Sequence, residues 1–292
     1  MDDTTKDQWM DWERFACHCR WLATGLPADI GATDYLRQVD RILPPELYPQ
    51  SRQNSGLAGH LHSRLVAAGN NQAIRATAAL YIALTPASLA KPPPAFRRAA
   101  LYLGLLVFMA IGMSMLYQAR VLPELMAMAA MSAPEMAMDT RDQFAFLRLM
   151  TVLILPLLLL IMVAMGWRLS GLMRLRWSKS GAGALGWLAL SPVRRAYDRL
   201  QATLRYPLVH QGILAHPDGC AVSDYLRAAE RNGNALDTEL QAVVAEALDR
   251  LQEAAGWQLR LATAVVAVLV ALTIACFLVS AYSPIFVMGD MM

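Results

Sequence analysis

The chain has 292 residues, of which 56% are hydrophobic and only 17% are charged, against roughly 45–50% and 25% in an ordinary soluble domain. Three blocks without a charged residue absorb most of this excess: 99–119, 149–167 and 261–289. Each is long enough to cross a bilayer, which needs about 20 mainly apolar residues. The composition therefore excludes a soluble enzyme, a secreted disulfide scaffold and a disordered chain.

The first 98 residues predict short amphipathic helices. Apolar residues recur every three or four positions from Trp9 to Leu22, and the pattern ends at Gly25, as expected of one helix with a stop signal. The same spacing predicts two more helices, one between Thr33 and Pro44 and one with Leu57, Leu61 and Leu65 that ends at Gly69. No stretch alternates with a period of two, so no sheet is predicted. The polar, acidic start is unlike a signal peptide, and we expect this segment to be retained.

Cysteine and histidine cluster in this segment as Cys17, His18 and Cys19, with His60 and His62 downstream. These residue types can ligate a metal ion, but on a helix Cys17 and Cys19 point about 200° apart and cannot both reach one ion. The other two cysteines are isolated in the sequence. Ordinary buried or surface thiols are therefore favoured over a metal site or a disulfide.

Methionine is concentrated in residues 120–148, between the first two apolar blocks. Five of them lie there: Met126, Met128, Met131, Met136 and Met138. Thioether sulfur is a soft ligand for Cu(I), but methionine is also an adaptable apolar side chain for packing. Packing is favoured because the segment has no histidine or cysteine to complete a copper site.

Residues 168–260 separate the second and third blocks and change character along their length. From 168 to 205 there are eight basic residues and one acidic residue, Asp198, and such a juxtamembrane excess favours anionic lipid head groups. The run from Gly181 to Gly186 matches the glycine pattern of dinucleotide-binding folds. A basic stretch precedes it, and Tyr206 stands where that motif needs an acid, so a flexible linker is predicted.

From residue 221 onward the pattern predicts a helical hairpin. Ser223 would cap its first helix, Gly233 would end that helix, and Asp237 would cap the second. Apolar residues from Leu240 to Leu251 form one face of the second helix, and its polar surface has net negative charge. That surface is either solvated or a docking site for a cytoplasmic partner. The partner-binding candidates are Glu230, Gly233, Leu236, Asp237, Glu239, Glu246, Asp249 and Glu253.

Lysine and arginine beside the apolar blocks predict the orientation. They are concentrated on the side of the two helical segments, at Lys91, Arg97, Arg98, Arg168, Arg174, Arg176, Lys179, Arg250 and Arg260, against Arg120, Arg141 and Arg148 on the other. We therefore expect an all-α polytopic membrane protein with its N-terminus inside. Its parts in chain order are cytoplasmic module 1–98, span 99–119, outer loop 120–148, span 149–167, cytoplasmic module 168–260, span 261–282 and outer tail 283–292.

The spans and their borders carry few functional groups. No Asp, Glu, Lys, Arg or His lies inside a span, which argues against a pump or a coupled transporter. Pro156 would kink the second span, and Trp167 and Trp257 stand where an interfacial aromatic belt would lie. No phosphate loop, paired carboxylates or activated nucleophile is found, so neither an enzyme nor a cofactor is predicted.

Four short motifs stand out beside this order of modules and spans. They are Leu22-Ala23-Thr24-Gly25-Leu26-Pro27, Val121-Leu122-Pro123, Glu230-Arg231-Asn232-Gly233 and Tyr282-Ser283-Pro284-Ile285-Phe286. Together with the layout they resemble the inner-membrane platform protein of type II secretion and type IV pilus machines, the general secretion pathway F and PilC family. The positions that carry the family's motifs outside the modules are Val121, Pro123, Tyr282, Pro284, Ile285 and Phe286.

The resemblance implies a non-enzymatic platform in the bacterial inner membrane, with its C-terminus in the periplasm. Its cytoplasmic modules would engage a hexameric assembly ATPase, while its spans handle pilin or pseudopilin subunits. Other inner-membrane assembly components and further copies of the chain are expected partners, and nucleic acid is not. Motion would pass along a continuous helix over 237–282, where Gly256 is the only helix breaker. The alternatives are a small-molecule or copper-ion membrane protein that uses the methionine-rich loop, and a membrane scaffold without a motor.

Overall fold

The computed structural model describes residues 4–44, 46, 56–84, 153, 155–176, 186–215 and 221–290, with scattered positions between 101 and 127. These residues form helices and turns without any strand, so the all-α prediction is confirmed for them. The helices whose bounds the structure describes are α1 Thr4–Gly25, α2 Ala32–Ile42, α3 Leu57–Val66, α4 Asn71–Ala83, α5 Leu155–Met173, α6 Ser191–His210, α7 Ala221–Arg231 and α8 Leu236–Asp290, and a 3-10 turn lies at Gly186–Leu188.

The chain divides into two compact units. The helical unit comprises Met1–Pro93 and Trp167–Ala255, and the apolar unit comprises Pro94–Gly166 and Gly256–Met292. Separate bundles for 1–98 and 168–260 are therefore not confirmed, because helices from both segments pack into one unit. The apolar unit contains most of each of the three uncharged blocks.

Helix α1 is the centre of the N-terminal part of the helical unit. It packs against α2, α3 and α4, and its buried side chains lie around most of its circumference: Trp12, Phe15, Cys17, His18, Cys19 and Leu22. The ring of Phe15 meets the edges of Trp12 and Tyr81, with centroids 5.8 and 5.1 Å apart. The predicted helix that ends at Gly25 is confirmed, and its surroundings explain why both Cys17 and Cys19 are buried.

Single residues mark the ends of the helices that follow α1. The predicted α2 and α3 are confirmed, and Gly69 after α3 adopts φ +69°, a backbone conformation that favours glycine. Helix α4 was not predicted. Asn70 caps it by accepting hydrogen bonds from the backbone N–H groups of Gln72 and Ala73, and its buried face consists of Ile74, Thr77, Ala78 and Tyr81.

Two hydrogen bonds join α4 to the second half of the helical unit. The fully buried Tyr81 donates its hydroxyl to the carbonyl of Leu204 in α6 at 2.8 Å. Gln241 in α8 donates from Nε2 to the carbonyl of Ala83 at 2.8 Å. These two bonds hold together residues that are separated by 123 and by 158 positions in the chain. They account for the formation of one helical unit in place of the two predicted modules.

Tyr81→Phe is expected to lower the unfolding free energy of the helical unit by about 1–2 kcal/mol, because the carbonyl of Leu204 loses a buried donor. Tyr225→Phe is the matched control, since its hydroxyl donates to Glu239 at the surface and its loss should have a much smaller effect. Denaturant unfolding of the full chain in detergent, followed by near-ultraviolet circular dichroism, measures both. Equal losses in the two variants would contradict the role assigned to Tyr81.

Helix α8 runs without interruption for 55 residues. It passes through Gly256 and Pro284 and continues beyond residue 282, where the outer tail was expected to begin. In its first half Leu240, Val244, Ala247 and Leu251 are buried. The predicted apolar face and the predicted continuity of the helix are both confirmed.

The apolar unit has a small core to which all three uncharged blocks contribute. Val107 and Val266 are buried, and Ile111, Leu158, Met162 and Val270 pack against them. Large apolar side chains on the other faces are more than 40% exposed, among them Phe108, Met113, Leu160, Val163, Val268, Leu272 and Val279. A surface of this kind is unfavourable in water and is typical of helices that face lipid.

Among the described residues, two helices are long and apolar enough to cross a membrane: α5 in its stretch Pro156–Met173, and α8 within Leu236–Ala275. Trp167 and Trp257 were predicted to lie at a membrane interface. In the chain they stand at or next to the positions where one unit ends and the other begins, and their side chains are 60% and 49% exposed. Exposed indole rings at the ends of apolar helices are typical of a membrane interface.

Candidate functional site

The turn between α7 and α8 carries the start of the predicted docking surface. The N–H of Asn234 donates to the carbonyl of Ala229 at 3.1 Å, and that of Gly233 donates to the carbonyl of Glu230 at 3.0 Å. This pair of bonds is a Schellman motif, and Gly233 adopts the required left-handed conformation with φ +84°. The prediction that Gly233 ends the first helix of the hairpin is confirmed.

The two predicted caps of this hairpin differ from the structure. Ser223 is the third residue of α7 and is buried, so it is not an N-cap, and the prediction was wrong. Helix α8 begins at Leu236, one residue before Asp237, whose Oδ1 accepts the N–H of Thr238 at 2.8 Å. Asp237 therefore satisfies a backbone donor inside the first turn, where a carboxylate also complements the helix dipole.

The acidic side chains of the predicted surface fall into two groups. Glu239 accepts hydrogen bonds from Tyr225 at 2.8 Å and Asn234 at 2.9 Å, so its carboxylate ties the turn together. Glu246 is paired with Arg250, whose Nε lies 2.7 Å away. Asp249 and Glu253 are exposed, and within the described residues neither is engaged in an ion pair. The charge available to a partner lies mainly on these two.

A cleft of about 310 Å3 lies between α6 and α7, lined by Tyr206, Val209, His210, Arg227, Glu230 and Arg231. The ring of Tyr206 stacks on His210 with centroids 5.9 Å apart, and His210 Nδ1 lies 3.6 Å from Glu230 Oε2. Glu230 is the one predicted site residue that lines it. The other five were missed because they lie on two helices, and no local spacing brings them together.

Tyr206 is the buried polar group of this cleft. It is 2% exposed, and its hydroxyl is buried without a hydrogen-bond partner in the part of the chain that the structure describes. Burial, followed by the charge of Glu230, raises the pKa of Tyr206, while Arg227 opposes this change. The hydroxyl is closed to solvent, so Tyr206 contributes its other atoms to the lining of the cleft.

A second polar network connects α1, α2 and α3. Arg14 Nη2 donates to Asp40 Oδ1 at 2.6 Å, and His18 Nε2 lies 2.9 Å from the same oxygen. His18 Nδ1 lies 2.9 Å from His62 Nε2. With both imidazoles neutral, His62 donates to His18 and His18 donates to the carboxylate, so one tautomer of each ring satisfies the chain.

Burial controls the titration of this network. Burial, and then the neighbouring His18, lowers the pKa of His62 to about 4. Burial also lowers the pKa of His18, although Asp40 partly offsets the effect. Burial raises the pKa of Asp40, but the hydrogen bonds from Arg14 and His18 outweigh it and leave that pKa below its ordinary value.

The structure separates the residues that suggested a metal site. Cys17 and Cys19 are free and buried in α1, while His18 and His62 bind each other. Burial raises the pKa of Cys19 far above its ordinary value, so that thiol is inert. No group of three or more histidine, cysteine or acidic residues placed to hold a metal ion occurs among the described residues.

The basic segment after the second block begins with a tight turn. Helix α5 continues to Met173, and Arg168 within it is 1% exposed. The N–H of Arg176 donates to the carbonyl of Gly171, and that of Leu175 to Leu172, with Leu175 at φ +52°. This is again a Schellman motif, with a buried leucine in place of glycine. It leaves Nε and Nη2 of Arg176 buried without a hydrogen-bond partner among the described residues.

The structure describes only some of the remaining sequence motifs. Pro123 is helical and exposed. Tyr282, Pro284, Ile285 and Phe286 lie in the last part of α8. Outside the described residues lie Val121, Lys91, the 181–185 stretch and the methionines Met126, Met128, Met131, Met136 and Met138.

Comparisons with known proteins identify no relative of this chain. No family model matches it, and neither a curated protein nor a solved structure does.

Proposed function

We propose that this chain is an inner-membrane platform protein of a type IV pilus or type II secretion machine. In this role it couples a cytoplasmic assembly ATPase to the polymerisation of pilin or pseudopilin subunits. The proposal rests on the motifs that resemble the general secretion pathway F and PilC family, and on one structural observation, the unbroken helix α8.

Helix α8 combines the two properties that such a coupling element needs. Its first half carries exposed acidic residues and packs in the helical unit, and its second half is apolar and contributes Val266 and Val270 to the apolar unit. A continuous helix transmits a displacement along its axis because each turn is held by backbone hydrogen bonds. A force applied near Asp249 would thus reach the membrane without an intervening hinge.

The proposed topology has three spans, with the helical unit in the cytoplasm and the 120–148 loop outside. The joint core of Val107, Leu158 and Val266 supports three membrane helices, because it draws one residue from each uncharged block. The basic residues beside the blocks support this orientation. The excess of basic residues from 168 to 205 supports contact with anionic lipid head groups at the cytoplasmic surface.

The docking surface proposed for the ATPase is the exposed acidic part of α8, centred on Asp249 and Glu253. Charge reversal at both positions is expected to reduce co-purification of the ATPase at least tenfold, which corresponds to about 1.4 kcal/mol of binding free energy. Glu13→Lys with Asp29→Lys is the matched control, because these two acidic residues are also exposed but lie elsewhere in the helical unit.

The measurement is co-purification of the tagged full chain from its native membranes with the assembly ATPase of the same cell, at low and high salt. Loss in the α8 variant alone supports the proposal, and a membrane scaffold without a motor would retain no ATPase in any variant. Equal retention by both charge-reversed variants would contradict the assignment of the surface.

A further inference from the structure

We propose that an exposed patch at the start of α6 inserts into the head-group region of the membrane that holds this chain, with anionic lipid as its partner. The patch consists of Trp187, Leu190, Arg194 and Arg195. The inference rests on the proposed cytoplasmic location of the helical unit and not on the platform role. It adds a defined point of insertion to the general attraction between the basic segment and lipid head groups.

The first argument is the way in which the turn before α6 presents two apolar side chains. Leu188 and Ala189 are 7% and 0% exposed, so the turn is fixed to the helical unit. Trp187 and Leu190, on either side of them, are 65% and 38% exposed. Because the two residues between them are anchored, Trp187 and Leu190 are held away from the core. Neighbouring exposed apolar side chains are typical of a contact surface, in contrast to scattered single ones.

The second argument is the positive charge beside these side chains. The carbonyl of Leu190 accepts the N–H of Arg194 at 3.1 Å, so these two residues lie one helical turn apart. Arg194 is half-buried and Arg195 is exposed, and neither takes part in the ion pairs found among the described residues. Positions 191–199 contain three basic residues and one acidic residue, Asp198. Apolar surface with net positive charge is complementary to an anionic lipid surface.

The first turn of α6 adds to this positive charge. Leu190 stands at the N-cap without a side-chain hydrogen bond, and the first turn contains no acidic residue. A helix N-terminus carries a partial positive charge that acidic groups normally complement. Here Arg194 and Arg195 lie next to it instead. A phosphate group outside the protein, such as that of a lipid, would stabilise this arrangement.

The position of the patch in the chain favours lipid over a protein partner. Helix α5 is apolar enough to span a membrane and ends at Met173, and the turn after it is described to Arg176. Gly186, where the 3-10 turn begins, comes ten residues later, so it lies at most about 36 Å from Arg176. Tryptophan is also enriched at membrane interfaces. A membrane surface is therefore within reach of the patch.

The test measures the contact of Trp187 with lipid in the full chain. The protein is reconstituted in nanodiscs of phosphatidylcholine and phosphatidylglycerol, and lipids brominated in the acyl chain quench tryptophan fluorescence. The contribution of one tryptophan is the difference between the wild type and its phenylalanine variant. We expect brominated lipid to reduce the contribution of Trp187 about twofold or more, because an indole at the membrane interface meets the bromine atoms.

Trp21→Phe provides the matched control. Trp21 lies on α1 of the same helical unit and is 40% exposed, and its contribution is expected to stay unquenched. A contribution of Trp187 that is quenched no more than that of Trp21 would overturn the proposal, and it would leave the patch to solvent or to a protein partner.

Arginine variants test the role of the charge. Arg194→Gln with Arg195→Gln is expected to reduce the quenching of Trp187 by about half or more, because the attraction to anionic lipid is weakened. Arg41→Gln with Arg64→Gln, two exposed arginines elsewhere in the helical unit, should leave it unchanged. Equal quenching in the two double variants would contradict the part assigned to the arginines.

Thermal unfolding in detergent checks that these variants fold. No loss of stability is expected in Trp187→Phe, since its side chain is exposed. All variants keep Asp249 and Glu253, so quenching of Trp187 and co-purification of the ATPase are separate readouts. The two proposals can therefore fail independently.

Discussion

Acidification from pH 7 to about pH 4 is expected to remove about 3 kcal/mol from the unfolding free energy of the helical unit. The pKa of His62 is lowered from 6.5 to about 4 in the folded state, and a tenfold change in proton affinity corresponds to about 1.36 kcal/mol. Between these two pKa values the unfolded chain binds more protons than the folded one, so stability falls as the pH falls. Full stability is retained above about pH 6.5.

The other two titrating groups act in the same direction. The lowered pKa of His18 adds to the loss as the pH falls below the ordinary value of 6.5, because a protonated His18 would face His62 at 2.9 Å. The lowered pKa of Asp40 contributes stability above its ordinary value of about 3.8, and this contribution disappears at lower pH. The network therefore stabilises the unit at neutral pH and weakens it in acid.

The measurement is denaturant unfolding of the full chain in detergent at several pH values from 7 to 4.5, followed by the fluorescence of the tryptophans. His62→Gln can still donate a hydrogen bond to His18 but cannot be protonated, so most of the pH dependence should disappear. His210→Gln, which removes a histidine outside the network, is the control variant. The same slope in His62→Gln as in the wild type would show that His62 is not the titrating group.

Under the platform role proposed above, Gly256→Pro is expected to abolish pilus assembly or secretion, whereas Gly256→Ala should not. Gly256 lies inside α8, and a Cβ added there meets no atom within 4 Å. Proline removes a backbone hydrogen bond and clashes with the preceding turn at a cost of about 3 kcal/mol or more, and it kinks the helix. Alanine instead favours the helix by about 1 kcal/mol. The two variants differ at one position only, so their comparison isolates the continuity of α8.

Three readouts are needed for this pair: the amount of protein in the membrane, co-purification with the ATPase, and the output of the machine. We expect Gly256→Pro to keep ATPase binding, since the acidic surface lies before the break, and to lose output. Limited proteolysis of the wild type should spare residues 252–262 because they lie within the helix. Normal output from a membrane-inserted Gly256→Pro variant would contradict transmission along α8.

Several elements of the fold were predictable because their signals are local. The glycines Gly69 and Gly233 adopt positive φ angles at the ends of predicted helices, and glycine is the residue that does so without strain. Helix α4 was not predicted because its local signals are weak. Its cap is Asn70, in a stretch that resembled a loop, and its buried face is short and rests on Ile74, Ala78 and Tyr81.

The candidate sites were much less predictable. His18 and His62 are 44 residues apart, and the acidic and aromatic residues of the cleft come from separate helices. The acidic surface of α8 was predicted as a set, but the structure assigns Glu239 to the turn and Glu246 to an ion pair with Arg250. Which charges remain available depends on neighbours that periodicity does not identify.

The amino-acid sequence by itself determined the all-helical class, the three uncharged blocks, the ends of most helices and the continuity of α8. Each of these depends on hydropathy, capping or backbone conformation within a few neighbouring residues. Only the tertiary structure decided that residues before the first block and after the second pack as one unit through Tyr81 and Leu204. It also decided that Tyr206 is buried and lines a cleft between two helices, because burial and long-range contact arise from packing between distant helices.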